Sequence, residues 1–72
     1  KMQIRNNPFF SIVTPVKNGE YYIQSYLDSL KKQTFTNWEA IIIDDASEDN
    51  TLSILRKETR NDKRFKIFST DQ

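Results

Sequence analysis

The 72-residue sequence contains no cysteine and no histidine. This excludes disulfides, thiolate or imidazole metal sites, and any nucleophile activated by a neighbouring histidine. A bound metal has to be a hard cation held by carboxylates and phosphate oxygens. The single glycine, Gly19, leaves room for neither a Walker loop nor a G-x-G-x-x-G fingerprint. Charge of one sign is also missing: eleven basic and ten acidic residues give a formal net charge of +1, so no global field points to nucleic acid. No apolar run approaches the roughly 20 residues of a membrane span, and nothing resembles a signal peptide. A soluble, cytoplasmic chain is expected, with membrane association through other parts of a parent protein left open. One small domain is the most this length allows, and such a domain hides only about 60% of the surface its unfolded chain exposes.

What is present alternates. Residues 1–8, "KMQIRNNP", are polar and read as a loose arm. "FFSIVT", residues 9–14, is short, apolar and β-branched, a buried strand that Pro15 should end. Asn18 stands in N-cap position before a helix expected over residues 19–32, whose Ile23, Tyr26, Leu27 and Leu30 fall at i, i+3, i+4 and i+7. "QTFTN" is a turn, and "WEAIIID", residues 38–44, is a second strand, buried on both faces if its three isoleucines are taken literally. Ser47 or Asp49 can cap a second helix with a thinner stripe of Leu52, Ile54 and Leu55. "RFKIFS", residues 64–69, is a third strand, and the mixed run "RKETRNDKR" before and into it reads as a solvated helix face and loop.

Strand, helix, strand, helix, strand with short links predicts an α/β fold: an open parallel sheet with right-handed crossovers and strand order 3-2-1, partial Rossmann-like. Both crossovers run the same way, so both helices should cover one face and leave the other bare. A doubly wound sheet needs cover on both sides. Residues 9–72 are therefore expected to be the opening part of a larger domain, or to bury the bare face against another copy.

In such a sheet, ligands bind outside the carboxyl ends of the strands. The topology places "TPVKNGE" after the first strand beside "DDASED" after the second. Asp44 is expected near the strand end, and Asp45 to project into the cleft, where it could accept from a base N–H or a ribose hydroxyl. Spacing alone leaves a second reading open, in which adjacent acids complement the dipole of the following helix. Glu20 equally suits a helix first turn. Tyr21, Tyr22 and Trp38 are expected to pack, and Lys17 to be solvated at the pocket rim.

The string "FSIVTPVKNGEYYIQSYLDSLKKQTFTNWEAIIIDDASEDNT" resembles the start of the family 2 inverting glycosyltransferases of GT-A fold. The likeness lies in a hydrophobic strand followed by Pro and a loop Asn, a helix ending in "LKKQTFTNWE", and a strand ending in Asp-Asp, a small residue, Ser, an acid and Thr. It covers residues 10–72. The resemblance implies transfer of a sugar from a nucleoside-diphosphate donor, typically UDP-linked, to a saccharide or lipid-linked acceptor, in a parent that works in polysaccharide biosynthesis. Carried over by position, Pro15 and Val16 line a base pocket, Glu20 sits at the donor-site edge, Asp45 contacts the base, and Asn18 and Ser47 shape the two loops. Family members often have a tyrosine where Lys17 stands. The family's Asp-x-Asp motif, which holds a divalent metal, Mg or Mn, on the donor diphosphate, comes well after the third strand, as does its catalytic base. The stretch in hand is thus expected to be inactive alone.

Two rivals remain in view. A receiver-like signalling module also gathers acids at a parallel strand end, but after its first strand, whereas here the pair follows the second. A plain interaction domain would self-associate through the uncovered sheet face.

Overall fold

The computed structural model describes residues 10–33 and 37–70. Five elements alternate along them: β1 (Phe10–Val16), α1 (Ile23–Lys31), β2 (Trp38–Asp45), α2 (Thr51–Thr59) and β3 (Phe65–Thr70). The strands form one sheet of order β1-β2-β3, both pairs parallel, which is the predicted order read from its other edge. The expected arm at residues 1–8 and most of the "QTFTN" turn lie outside the described residues.

Alternation along the strands explains where the core sits. Val16, Trp38, Ala40, Ile42 and Phe65 point to one face and are buried there with Ile23, Leu27 and Leu30 of α1 and Leu55 of α2. Burial of each large aliphatic side chain contributes about 1.5–3 kcal/mol, so this shared cluster is what holds both helices on one side. Trp38 meets Phe65 edge-on at 5.6 Å, and the Arg64 guanidinium lies 4.3 Å above the indole, itself held by Asp62 at 2.8 Å. A 2.6 Å hydrogen bond between the Thr14 and Tyr26 hydroxyls adds a polar tie from β1 to α1.

The opposite face is uncovered among the described residues: Val13 is 59% and Phe68 54% exposed, with Pro15 exposed and Ile41 and Ile43 half-buried between them. The second strand is therefore not buried on both sides. Its burial alternates, Ile42 fully enclosed and its two isoleucine neighbours not, because both helices lie against the same face.

Two boundaries differ from the sequence reading by two residues or more. Pro15 does not end β1, which runs through Val16. Among the described residues β1 pairs with β2 alone, and a strand with one neighbour tolerates proline where the amide faces away from the sheet. Helix α1 begins at Ile23, not Gly19, after a turn in which the Gly19 carbonyl accepts the Tyr22 and Ile23 amides at 3.0 and 2.9 Å. Asn18 is not its N-cap, because its side chain is engaged elsewhere.

Candidate functional site

Register brings Val16, Asp44 and Ser69 side by side at the carboxyl edge, with Asp45 opposite Thr70 one step further on. Pleating then sends the two adjacent acids to opposite faces. Asp44 follows Ile42 to the helix side, where it is 1% exposed and accepts the Ser47 amide and hydroxyl. Asp45 follows Ile43 to the open side, is exposed, and accepts the Thr70 hydroxyl at 2.9 Å on Oδ1. Its second oxygen has no partner among the described residues.

The loops after β1 and β2 are joined reciprocally. Three consecutive amides of the first, those of Asn18, Gly19 and Glu20, donate to Ser47 Oγ at 2.8 Å, Thr51 Oγ1 at 2.7 Å and Asp49 Oδ2 at 3.2 Å. In return the amides of Glu48 and Asn50 donate to Asn18 Oδ1 at 2.8 Å and Glu20 Oε1 at 3.0 Å. The local backbone suits the exchange: Asn18 at φ 51° and Ala46 at φ 53° take the left-handed conformation, easy for asparagine and costly for alanine. At Gly19 the Tyr22 ring closes over the backbone, and a Cβ there would lie 2.6 Å from it, so a larger residue would have to displace the half-exposed ring. Asp49 also accepts the Thr51 amide at 2.9 Å and the Thr51 hydroxyl. Burial pushes its carboxyl up, and these hydrogen bonds with the one from Glu20 outweigh burial and hold it below its ordinary 3.8.

Beside this seam lies a cavity of about 430 Å³ lined by Lys17, Asp44, Ser47, Leu52, Ser69 and Thr70 among others. Lys17 is exposed and has no ion-pair partner among the described residues. Asp45 stands on the other side of the sheet edge and does not line this cavity. Val16, expected to line a base pocket, belongs to the core at 4% exposure and does not line this cavity. Tyr21, expected to pack, is 95% exposed, while Tyr22 rests on Gly19 at 51% exposure and Trp38 is buried. Helix α2 receives no side-chain bond from its N-cap residue Asn50; Asp49, one residue earlier, takes the first amide instead. Sequence reasoning missed Thr51 and Asp49 as loop-joining groups, since partners about 30 positions apart leave no local signal.

No group of three or more carboxylates lies close enough together among the described residues to hold a cation.

Three parallel strands, two helices on one face and paired polar loops at the carboxyl edge define an open α/β unit of the kind that takes ligands at its strand ends. Within that class the sequence pattern of glycosyl transferase family 2 matches residues 11–72, and the chain belongs to that family. An uncharacterized glycosyltransferase of Haemophilus influenzae is 40% identical over 65 residues, which cover 90% of this chain and 26% of the relative. The poly(ribitol-phosphate) beta-N-acetylglucosaminyltransferase TarS of Staphylococcus aureus is 43% identical over 60 residues, 81% of this chain and 10% of its own. The crystal structure of S. aureus TarS 1-349 in complex with UDP-GlcNAc superposes with a TM-score of 0.80 at 37% identity, over 88% of this chain and 18% of that one. The β-α-β-α-β unit is that of a GT-A fold, and the chain spans 18% of the length of the solved structure and between 10% and 26% of these relatives.

Proposed function

We propose that this chain forms the donor-binding part of a glycosyltransferase that moves a sugar from a nucleoside-diphosphate sugar, UDP-linked, to an acceptor hydroxyl with inversion. One observation carries the reading: at the carboxyl edge many polar groups are consumed in joining the loops, while the second oxygen of Asp45, the Lys17 ammonium and the Glu48 carboxylate are left exposed. Support comes from the similar chain of TarS, which binds UDP-GlcNAc.

In this reading Asp45 accepts from the base or ribose through its second oxygen, Pro15 presents an apolar edge to the base, and Lys17 stands where an anionic donor enters. Asn18, Glu20, Asp44 and Ser47 act by shaping the loops. In inverting transfer an acceptor hydroxyl loses its proton to a carboxylate base and displaces the nucleoside diphosphate; none of the described residues is assigned that base. A divalent metal, when bound, stabilises the leaving phosphates, and we expect the Asp-x-Asp motif that would hold it to follow β3.

Amide NMR of this chain titrated with UDP, and separately with GDP, tests the proposal. Shifts confined to residues 16–20 and 45–47, lost in Asp45→Asn, are expected. A dispersed spectrum that UDP leaves unmoved would overturn donor binding by this chain.

The exposed Val13 and Phe68 favour a second reading, an interaction module that pairs its open sheet face with another copy. Sedimentation showing concentration-dependent dimers indifferent to nucleotide would select it.

A further inference from the structure

Thr51 opens α2 and is fully buried. It does not line the cavity, so it touches nothing bound there. Its hydroxyl nevertheless stands at the meeting point of both loops, accepting the Gly19 amide at 2.7 Å and donating to Asp49 Oδ1. The other oxygen of Asp49 takes the next amide, that of Glu20, at 3.2 Å. Gly19 is itself buried, so no water stands ready to replace the hydroxyl as its acceptor.

The first loop has little else to fix it. Apart from the Gly19 and Tyr22 carbonyls, which accept amides at the start of α1, its hydrogen bonds to other segments run to the second loop and to Thr51 at the head of α2. The loop bearing Lys17 is thus placed by the loop that follows Asp45, and the buried link in that placement is Thr51. A valine there would keep the shape, leave the Gly19 amide unsatisfied at the cost of a buried donor, and free the loop to shift while the core cluster around Ile23, Leu27 and Ile42 stays intact.

We infer that Thr51 is a positioning residue for the donor site, its hydroxyl setting the separation of the two loops so that the site exists before the nucleotide arrives. The inference rests on the donor-binding reading above. Preformed geometry spares the ordering cost that binding otherwise carries, so its loss appears as weaker affinity at an unchanged set of contacts.

The test compares wild type, Thr51→Ser and Thr51→Val by UDP titration read on amide resonances, with hydrogen exchange of the Gly19 amide and the thermal midpoint measured on the same samples. Thr51→Ser, which retains the hydroxyl, is expected to bind within about twofold of wild type. Thr51→Val is expected to bind about tenfold more weakly, the worth of roughly one hydrogen bond, with faster Gly19 exchange and the same resonances shifting at saturation. Should Thr51→Val fail to fold, Asp49→Ala removes the acceptor for both the Thr51 hydroxyl and the Glu20 amide from a site nearer the surface and is expected to lose affinity likewise. Wild-type affinity in Thr51→Val, or in Asp49→Ala if that variant must decide, would overturn the inference while leaving donor binding in place. Absence of any UDP response in wild type would instead overturn the donor-binding reading, and the positioning role with it.

Discussion

Asn18 Oδ1 accepts the Glu48 amide at 2.8 Å across 30 positions of sequence, from a residue whose own φ is 51°. Side chain and backbone therefore contribute separately at one position. Asn18→Ala loses the acceptor and also places a Cβ-bearing residue with no local hydrogen bond in the left-handed region, for an expected loss of about 1–2 kcal/mol. Asn18→Gly loses the acceptor and avoids the left-handed penalty, at the cost of some unfolded-state entropy, for about 0.5–1.5 kcal/mol. Urea unfolding of the two variants checks both, and a loss within about 0.3 kcal/mol of zero in either would remove the Asn18 acceptor from the account.

Ala46 offers the converse. At φ 53° its methyl group is strained, and Ala46→Gly relieves that strain while adding unfolded-state entropy of similar size. The expected result is a change within about 0.5 kcal/mol of wild type. Ala46→Val, β-branched in the same conformation, is expected to cost more than about 1 kcal/mol. Thermal midpoints of the pair separate strain from cavity filling, because valine also narrows the cavity that Ala46 lines.

Without histidine or cysteine, no side chain has an ordinary pKa between about 5 and 8, so stability should be flat across that range. Below it three carboxyls matter. Asp62 is lowered by the Arg64 side-chain hydrogen bonds against a smaller opposing effect of burial, Glu39 by the Ser11 hydroxyl and then Lys66, and Asp49 by the balance described above. A carboxyl depressed in the folded state gives stability that is complete above its unfolded value and is lost as pH falls through the folded one. Loss should therefore begin near the ordinary values of 3.8 and 4.5 and continue below them. Thermal midpoints between pH 2 and 8 measure it, and Asp49→Asn should flatten part of the acid limb. An acid limb unchanged in that variant would remove Asp49 from the account.

Much of this fold is legible in the sequence because each element carries one dominant period. The i, i+3, i+4, i+7 stripe of Ile23, Tyr26, Leu27 and Leu30 predicts α1, and the β-branched runs predict three strands whose order follows from short right-handed links. The bare face follows too, since two crossovers of one hand leave one side open. The site is less legible. Asp44 and Asp45 are distinguishable only by the parity they share with Ile42 and Ile43, and parity acquires a direction only once it is known which face the helices cover. Asn18 and Glu20 look like helix-start residues because local rules favour them there; bonds to Glu48 and Asn50 win instead, and no pattern within one loop reveals that.

Ile42 and Ile43 put the sheet's two faces to a quantitative test with the same residue type one position apart. Ile42 is fully buried under both helices, whereas Ile43 lies between exposed Pro15 and exposed Phe68. Removing three carbons from an enclosed site loses transfer energy and leaves a cavity, so Ile42→Ala should cost about 2–5 kcal/mol. Against the roughly 4–11 kcal/mol that chains of this length possess, the upper end of that range leaves little folded protein. Ile43→Ala leaves no enclosed void, and its expected cost is about 1 kcal/mol. Denaturant unfolding at two protein concentrations measures both. Equal costs would mean that the open face is covered in solution, and if the cost at Ile43 then rose with concentration, the cover would be a second copy of the chain, because only an intermolecular contact strengthens by mass action.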